Sequence, residues 1–472
     1  MVIVGASLPQ VADIFRNITM EAMGPRLRGD DKLLQTLFVV ARVALQLYAI
    51  PQPSTNENRG HVMAIDFEIP PEAKAIREKV RQWVHDECIP AEKALDDKPL
   101  KEVLDPLRKK ARAQGLWCPF IPTEYGGMGL GPLANALVQM ELGESSLGAL
   151  SMNTQGPDDA SMLTILAHGT EHQKEKFLKP LLNGDKRICF SMTEKAAGAD
   201  ATGMQTRAVK DGNENYVLNG EKWFSSSASV ADIALVMAKT DPDAPRHKQF
   251  STFIVELPNP GYNIKRNVKN MAIEGPHYDE IHGGHSEIEI KDLKVPADNL
   301  LGGEGNGFNM GQHRLAYGRL RHGMHNIAKA QRALDMATAH VTQRSTFGVK
   351  LSDRQAVQFM LADCASELYM ARLMLLHIAY KAEKGLDLTQ ENSIAKVFLA
   401  HMVHKVVDTA IQLHGALGYS QDTILAKWYT QIRSQRLVDG PDEVHKWRVG
   451  RNVIKAYKQH GTTASAAGGD LI

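Results

Sequence analysis

The sequence predicts an α+β protein, mainly α, with an N-terminal helical domain, a small central β-domain and a C-terminal bundle of long helices. Three observations carry this. Apolar residues recur at helical spacing from residue 63 to about 188, the pattern changes to period-two alternation near Arg187, and proline-free helical runs of unusual length return from about 308. The expected domains are therefore 63–188, 189–307 and 308–459, with an extension over 1–62 and a flexible tail over 460–472.

Residues 37–50 are apolar but short, carry Arg42, and have neither a basic leader nor a small-residue cleavage site, so they read as neither a spanning helix nor a secretory signal. Polar residues 51–60 follow, and 1–62 read as an accessory extension, disordered or translated from a start placed too early. Pro70-Pro71-Glu72, followed by Ala75, Ile76, Val80, Trp83 and Val84, predicts a capped amphipathic helix. Pro106 is read as opening the next helix, through Leu107, Ala111 and Leu116. Further helices are expected over 133–143 and 171–179. The glycines of 126–131 follow no strand, so they read as a connection rather than a phosphate loop.

In the central part, Tyr216-Val217-Leu218 and Lys222-Trp223-Phe224 flank Asn219-Gly220, a strong hairpin-turn signal. Strands are expected over 233–238, 251–256, 262–268 and 286–290, with an end at Val295-Pro296. Runs 314–343, 354–384 and 392–413 should then pack as an antiparallel bundle.

Over 472 residues, 55 basic and 54 acidic side chains leave a formal charge of +1, so nothing calls for nucleic acid or an anionic membrane as a bulk partner. Hydrophobic residues at 43% suffice for large cores. Cys88, Cys118, Cys189 and Cys364 are far apart and form no C-x-x-C pair, which argues against structural zinc and a disulfide framework. A reducing, cytoplasmic setting fits, or a mitochondrial or peroxisomal matrix in a eukaryote. His282 and His285, separated by Gly283-Gly284, are too few to hold a metal, and none is expected.

Near the C-terminus, Gly440 and Pro441 stop one helix and start another whose first turn carries Asp442 and Glu443, which leaves Asp439 in a helix-to-helix corner. Read alone, that corner is a turn with a solvated carboxylate. Its company upstream changes the reading. Phe190-Ser191-Met192-Thr193-Glu194-Lys195-Ala196-Ala197-Gly198-Ala199-Asp200, Asn219 through Ser226, Arg344-Ser345-Thr346-Phe347-Gly348, Gln412 through Tyr419 and the Asp439 corner together resemble the acyl-CoA dehydrogenase family in order and spacing. Within it, His282 through His285, Trp223 through Ser226 and Asp439 through His445 resemble the branch fused in animals to an aminoglycoside-phosphotransferase-like domain; no kinase-like stretch is read in these residues.

The resemblance implies FAD as cofactor, an acyl-CoA thioester as substrate, an electron-transferring flavoprotein as partner, and a homotetramer or homodimer whose flavin sites span subunits. It assigns Met192 and Thr193 to the pyrimidine side of the flavin, Ser226 to N5 and Phe224 to the ring face, with Phe190 and Ser225 beside them. Phe224 stands where many relatives have tryptophan, which keeps stacking and loses an indole donor. Arg344 is carried over as a pyrophosphate contact, and Thr346, Gln355, Gln412 and Gly415 as nucleotide contacts, some serving the neighbouring subunit. Pro441 and Glu443 fall at adenosine-side positions where the family more often has threonine and glutamine. On the substrate side stand Ala199, where the family often has serine, with Gly311, His313, Arg314 and Gly440.

Removing an α-proton from a thioester needs a carboxylate near that carbon. In the family this is a glutamate at the corner or, in some branches, on the helix read here as beginning at Arg314; this chain offers Asp439 at the first place and His313 at the second. Asp439 is the expected base. It is one methylene shorter, and a misplacement of about 1 Å can cost on the order of a hundredfold in rate. The expected reaction is FAD-dependent α,β-dehydrogenation of an acyl-CoA to the trans-2-enoyl-CoA, as in the β-oxidation of fatty acids. The alternatives are an oxygen-using oxidase on the same scaffold, nitroalkane-oxidase-like or acyl-CoA-oxidase-like, and a non-catalytic flavoprotein subunit.

Overall fold

The computed structural model describes residues 68–272 and 283–468; the expectations for residues 1–62 and for His282 lie outside them. Helix α1 (Pro71–Trp83) starts where Pro70 and Pro71 fix the backbone and Glu72 faces the helix dipole, and it buries Ala73, Val80 and Trp83. Helix α2 (Leu100–Ala113) begins before Pro106, which lies inside it rather than opening it. A missing N–H and a ring clash cost about 3 kcal/mol at such a position, and the buried stripe Val103, Leu104, Leu107 and Ala111 offsets that. Helices α3 (Pro132–Leu142) and α4 (Asp158–His168) are buried on most faces. A capping box between Thr170 and Gln173 then opens the helical turns Glu171–Gln173, Lys174–Leu178 and Lys179–Leu182.

The β-domain holds β1 (Ile188–Ser191), β2 (Arg207–Asp211), β3 (Asn215–Ser226), β4 (Ile233–Lys239), β5 (Phe250–Glu256), β6 (Tyr262–Asn267), β7 (His285–Pro296) and β8 (Leu300–Leu301). Their order is β6-β7-β3-β2-β4-β5-β8, with β1 parallel to β4. Asn219-Gly220 is not a hairpin turn. Strand β3 runs through it, paired with β7 on both sides of a register shift, while β2 and β3 pair down to Asp211 and Asn215 on either side of the real turn. The glycine is required for another reason: a Cβ on Gly220 would stand 2.5 Å from Thr206 Oγ1, and Asn219 accepts a hydrogen bond from the Asp292 amide at 2.8 Å. The dipeptide marks a close crossing of chains within a bulged strand.

The bundle comprises α5 (Gly307–Gln343), α6 (Gln355–Glu383), α7 (Thr389–His414), α8 (Ile424–Ile432) and α9 (Asp442–His460), with the short pair β9 (Ser345–Thr346) and β10 (Val349–Lys350) between α5 and α6. Helix α5 begins at Gly307, earlier than the expected residue 314. Small residues let its neighbours come close. A Cβ on Gly143, just past α3, would lie 2.6 Å from His325 Cα, and one on Gly323 would lie 2.6 Å from Leu399 Cδ1 of α7. Ala330, Ala333 and Ala337 are buried in the same core. The tail expected to be flexible from 460 is docked as far as a turn at Ala464–Ala467, where the Ala466 carbonyl accepts from Gln390. Among the described residues no helix is long and apolar enough to cross a membrane.

Candidate active site

Asp439 lies between the turn Arg433–Arg436 and α9, with φ of 54°, a left-handed conformation uncommon for a side-chain-bearing residue. Gly440 follows at φ 96°, and a Cβ there would lie 2.9 Å from His445 Nε2. The main-chain carbonyl of Asp439 accepts from Arg319 Nε at 2.8 Å and pairs with His445 Nε2 at 3.1 Å. The corner is thus held by its backbone, which leaves the carboxylate available. Its Oδ2 is buried and has no hydrogen-bond partner among the described residues. The nearest ring nitrogen is His322 Nε2 at 3.7 Å, beyond hydrogen-bond distance.

Three residues on, Asp442 is treated in the opposite way. It is 1% exposed and receives Lys396 Nζ at 3.2 Å, His401 Nε2 at 2.9 Å and Arg436 Nε at 2.9 Å. Burial alone would raise its pKa, but the hydrogen bonds from Arg436, His401 and Lys396 outweigh it and hold the carboxyl below the usual range. Asp442 anchors α9. His445 is pushed down to about 4, first by burial and then by Arg319, Lys396 and Arg448, against the hydrogen bond to the Asp439 carbonyl.

Across the corner is α5. Its position facing the Asp439 carboxylate is Gly318, where a Cβ would stand 3.0 Å from Oδ2; His313, the residue singled out from the sequence, is exposed instead. Arg314 points into the interior. Its guanidinium lies 4.1 Å over the Phe190 ring and donates to Pro157 O at 3.2 Å and Ser161 Oγ at 3.3 Å. Burial pulls Arg314 down to about 10 against Asp439 and Asp159, which favour its charge. A Cβ on Gly311 would meet Met237 Sδ at 3.4 Å and Phe190 Cζ at 4.0 Å. Phe190, Gly311 and Arg314 therefore share one wall. Deeper lies an ion pair of Arg321 and Asp159, 3.0 Å apart but not aligned as a hydrogen bond, with Asp159 pushed up to about 6 by burial.

The second group lies at the bulge of β3. Phe224 has φ of 53°, the residue is 39% exposed, and its ring meets Trp223 edge-on at 4.7 Å. It is no ordinary strand residue. Trp223 N donates to Thr193 O at 2.7 Å, and Ser226 Oγ lies 2.8 Å from His285 Nδ1. Ser225 turns inward, its hydroxyl 2.9 Å from that of Ser191. Behind Met192 and Thr193 a fully buried Lys222 donates to Met192 O at 3.0 Å and to Glu194 at 2.9 Å, and Glu194 also accepts from the amides of Gln205 and Thr206. Burial draws Lys222 down to about 8 despite Glu194. Ala199 lies on the exposed part of this loop.

A third group is spread over helix ends. Arg344, Gln355, Gln412, Gly415 and Glu443 are exposed, while Thr346 and Pro441 are half-buried. The stacking of His340 on His414 at 4.4 Å ties the end of α5, before Arg344, to the end of α7, before Gly415. Among the described residues no group of three His, Cys, Asp or Glu could hold a metal. Gly318, Arg319 and His322 were not singled out from the sequence, and Asp442 and His445 were read only as parts of the corner motif, not as site residues. The signal for Gly318 and His322 was present: Arg314, Gly318 and His322 fall at successive i, i+4 steps on one helix face.

Family models agree with this architecture. Residues 70–185 match the acyl-CoA dehydrogenase N-terminal domain, 189–285 the middle domain and 305–454 the C-terminal domain. The chain belongs to the acyl-CoA dehydrogenase family. It is 38% identical over 390 residues to acyl-CoA dehydrogenase family member 11 of Gallus gallus, covering 79% of this chain and 49% of that protein. It is 36% identical over 363 residues to "probable acyl-CoA dehydrogenase FadE2" of Mycobacterium tuberculosis, covering 75% and 86%. The chain thus spans about half the length of the animal relatives it matches. Butyryl-CoA dehydrogenase of Megasphaera elsdenii superposes with a TM-score of 0.73 at 30% identity, over 83% of this chain and 100% of that one. Acyl-CoA dehydrogenases are FAD-dependent oxidoreductases, and the β3 bulge fits such a cofactor: it offers an open aromatic ring at Phe224 and a buried Trp223 Nε1 that has no partner among the described residues.

Proposed function

We propose that this acyl-CoA dehydrogenase removes hydrogen from the α and β carbons of an acyl-CoA thioester, giving the trans-2-enoyl-CoA, with Asp439 taking the α-proton. The observation that carries the reading is the buried, unpartnered Oδ2 of a carboxylate whose main chain is held on two sides. A buried acceptor without a donor is costly in a resting protein, and the cost makes sense where a substrate C–H supplies the missing proton. Bound FAD supplies the acceptor for the β-hydrogen.

The residues divide that work. Met192, Thr193, Phe224 and Ser226 hold the flavin ring from the β3 side; Ser225 serves through its backbone, since its hydroxyl faces Ser191. Arg344, Thr346, Gln355, Gln412 and Gly415 hold the nucleotide. Their exposure in a single protomer supports sites completed by a second copy, in a homodimer or homotetramer. Phe190, expected beside the flavin, packs under the Arg314 guanidinium, so it is assigned with Arg314 to the substrate side, and Gly440 allows the corner to turn. Electrons pass onward to an electron-transferring flavoprotein. The test is anaerobic titration of the FAD-loaded protein with saturated acyl-CoAs from butyryl-CoA to palmitoyl-CoA, followed by flavin absorbance. Asp439→Asn should abolish bleaching while FAD stays bound; bleaching at the unaltered rate would remove Asp439 from the role.

A further inference from the structure

We propose that His322 is a positioning residue for Asp439: its imidazole holds the free carboxylate oxygen in the orientation from which it meets the α-proton. This rests on the reading of Asp439 given above.

The corner leaves one degree of freedom unassigned. Arg319 and His445 hold the Asp439 carbonyl, and the left-handed backbone is set, so only the side-chain torsions remain open. A shorter carboxylate reaches its target over a narrower range of those torsions, and an error of about 1 Å is worth on the order of a hundredfold. Around Oδ2 the structure offers two neighbours on one face of α5. Gly318 presents no side chain, and its absence is what makes room for the oxygen. His322 presents Nε2 at 3.7 Å, so a small rotation of either side chain closes the gap to a hydrogen bond.

The charge around the ring suits this task. His322 is packed among Arg319, Arg321, His325 and Lys329 of its own helix and Lys396 of α7, with Asp439 as the acid facing it. Burial and the cations Arg321, Lys329 and Lys396 push it down to about 4, against Asp439. At neutral pH the imidazole is therefore neutral. Rotated into reach with its proton on Nε2, it would donate one hydrogen bond without the charge of an ion pair, which would stabilise the carboxylate and weaken it as a base. Asp442 shows the contrast, since three donors there hold a carboxylate that must not react.

The experiment compares His322→Phe, His322→Gln and Asp439→Asn in the FAD-loaded protein, using butyryl-CoA and octanoyl-CoA under anaerobic conditions. His322→Phe should lower the limiting rate of flavin bleaching by about tenfold to a hundredfold, with the half-saturating acyl-CoA concentration changed less than threefold, about 0.7 kcal/mol. His322→Gln, which keeps a side-chain donor, should recover most of that rate. In ring NMR titrations the signal that His322→Gln removes should titrate at lower pH in Asp439→Asn, because the acid that favours its charge is gone. The coupled titration reports that the two groups face each other, and a purely structural role would not give the rescue. His322→Phe and His322→Gln both matching the unaltered rate, in a protein whose Asp439→Asn is inactive, would overturn the positioning role alone. Bleaching retained in Asp439→Asn would overturn the assignment of the base and this inference with it.

Discussion

Asp439 and Asp442 stand three residues apart in one corner and are handled in opposite ways. The side chain of Asp442 is 1% exposed and saturated with cationic donors, whereas that of Asp439 is 18% exposed and carries a buried oxygen with no donor among the described residues. The difference separates a carboxylate that holds the fold from one that is kept available. Counting acids in a motif does not make that distinction; following their hydrogen bonds does.

The sharpest way to break the comparison is to neutralise each acid in turn. Asp439→Asn should slow anaerobic flavin bleaching by about a thousandfold or more, the range for loss of a positioned base, with little change in melting temperature. Asp442→Asn should do the reverse. It leaves Lys396 and Arg436 without their carboxylate and should cost about 3 kcal/mol, the low end for breaking a buried pair because Arg436 and His401 are part-exposed. Chemical denaturation measures that loss, and the folded fraction should still bleach.

Acid should disturb the same corner through its histidines. His322 and His445 are both held at about 4 in the folded protein against an ordinary 6.5, so both are neutral when folded and take up protons on unfolding below that value. Their contribution to stability is complete above pH 6.5 and is lost as pH falls from there toward about 4, by a total on the order of a few kcal/mol. Denaturation midpoints measured across that window should decline, and less steeply in His445→Gln. The smallest effect is expected from Gly318→Ala. Its Cβ would arrive 3.0 Å from Asp439 Oδ2, close enough to turn the carboxylate aside, and should slow bleaching by about tenfold without altering FAD retention. If Gly318→Ala bleaches at the unaltered rate, the carboxylate has more room than the comparison allows.

Much of the architecture was legible in the chain itself. The shift from helical spacing to alternation near Arg187, and back near 308, is a local property, and the structure has the same order of helices, sheet and bundle. Errors came where a local signal had a non-local cause. Asn219-Gly220 carries a turn's composition but serves a crossing against Thr206, and Pro106 carries a helix start's composition but sits within α2, where core burial outweighs it. His313, whose surface position agrees with its place near a helix start, lies away from Asp439, and the residues that meet Asp439 lie farther along the same helix.

By itself, the sequence determined the family motifs, their order, and the presence of an acid in a helix-to-helix corner, because spacing and turn chemistry act over a few residues. Only the tertiary structure decided which acid is satisfied and which is free. Donors for Asp442 come from Lys396, His401 and Arg436, and the hold on the Asp439 backbone comes from Arg319, more than a hundred residues upstream. Whether a buried oxygen finds a partner depends on which distant helices pack beside it, and no local pattern in the chain encodes that directly.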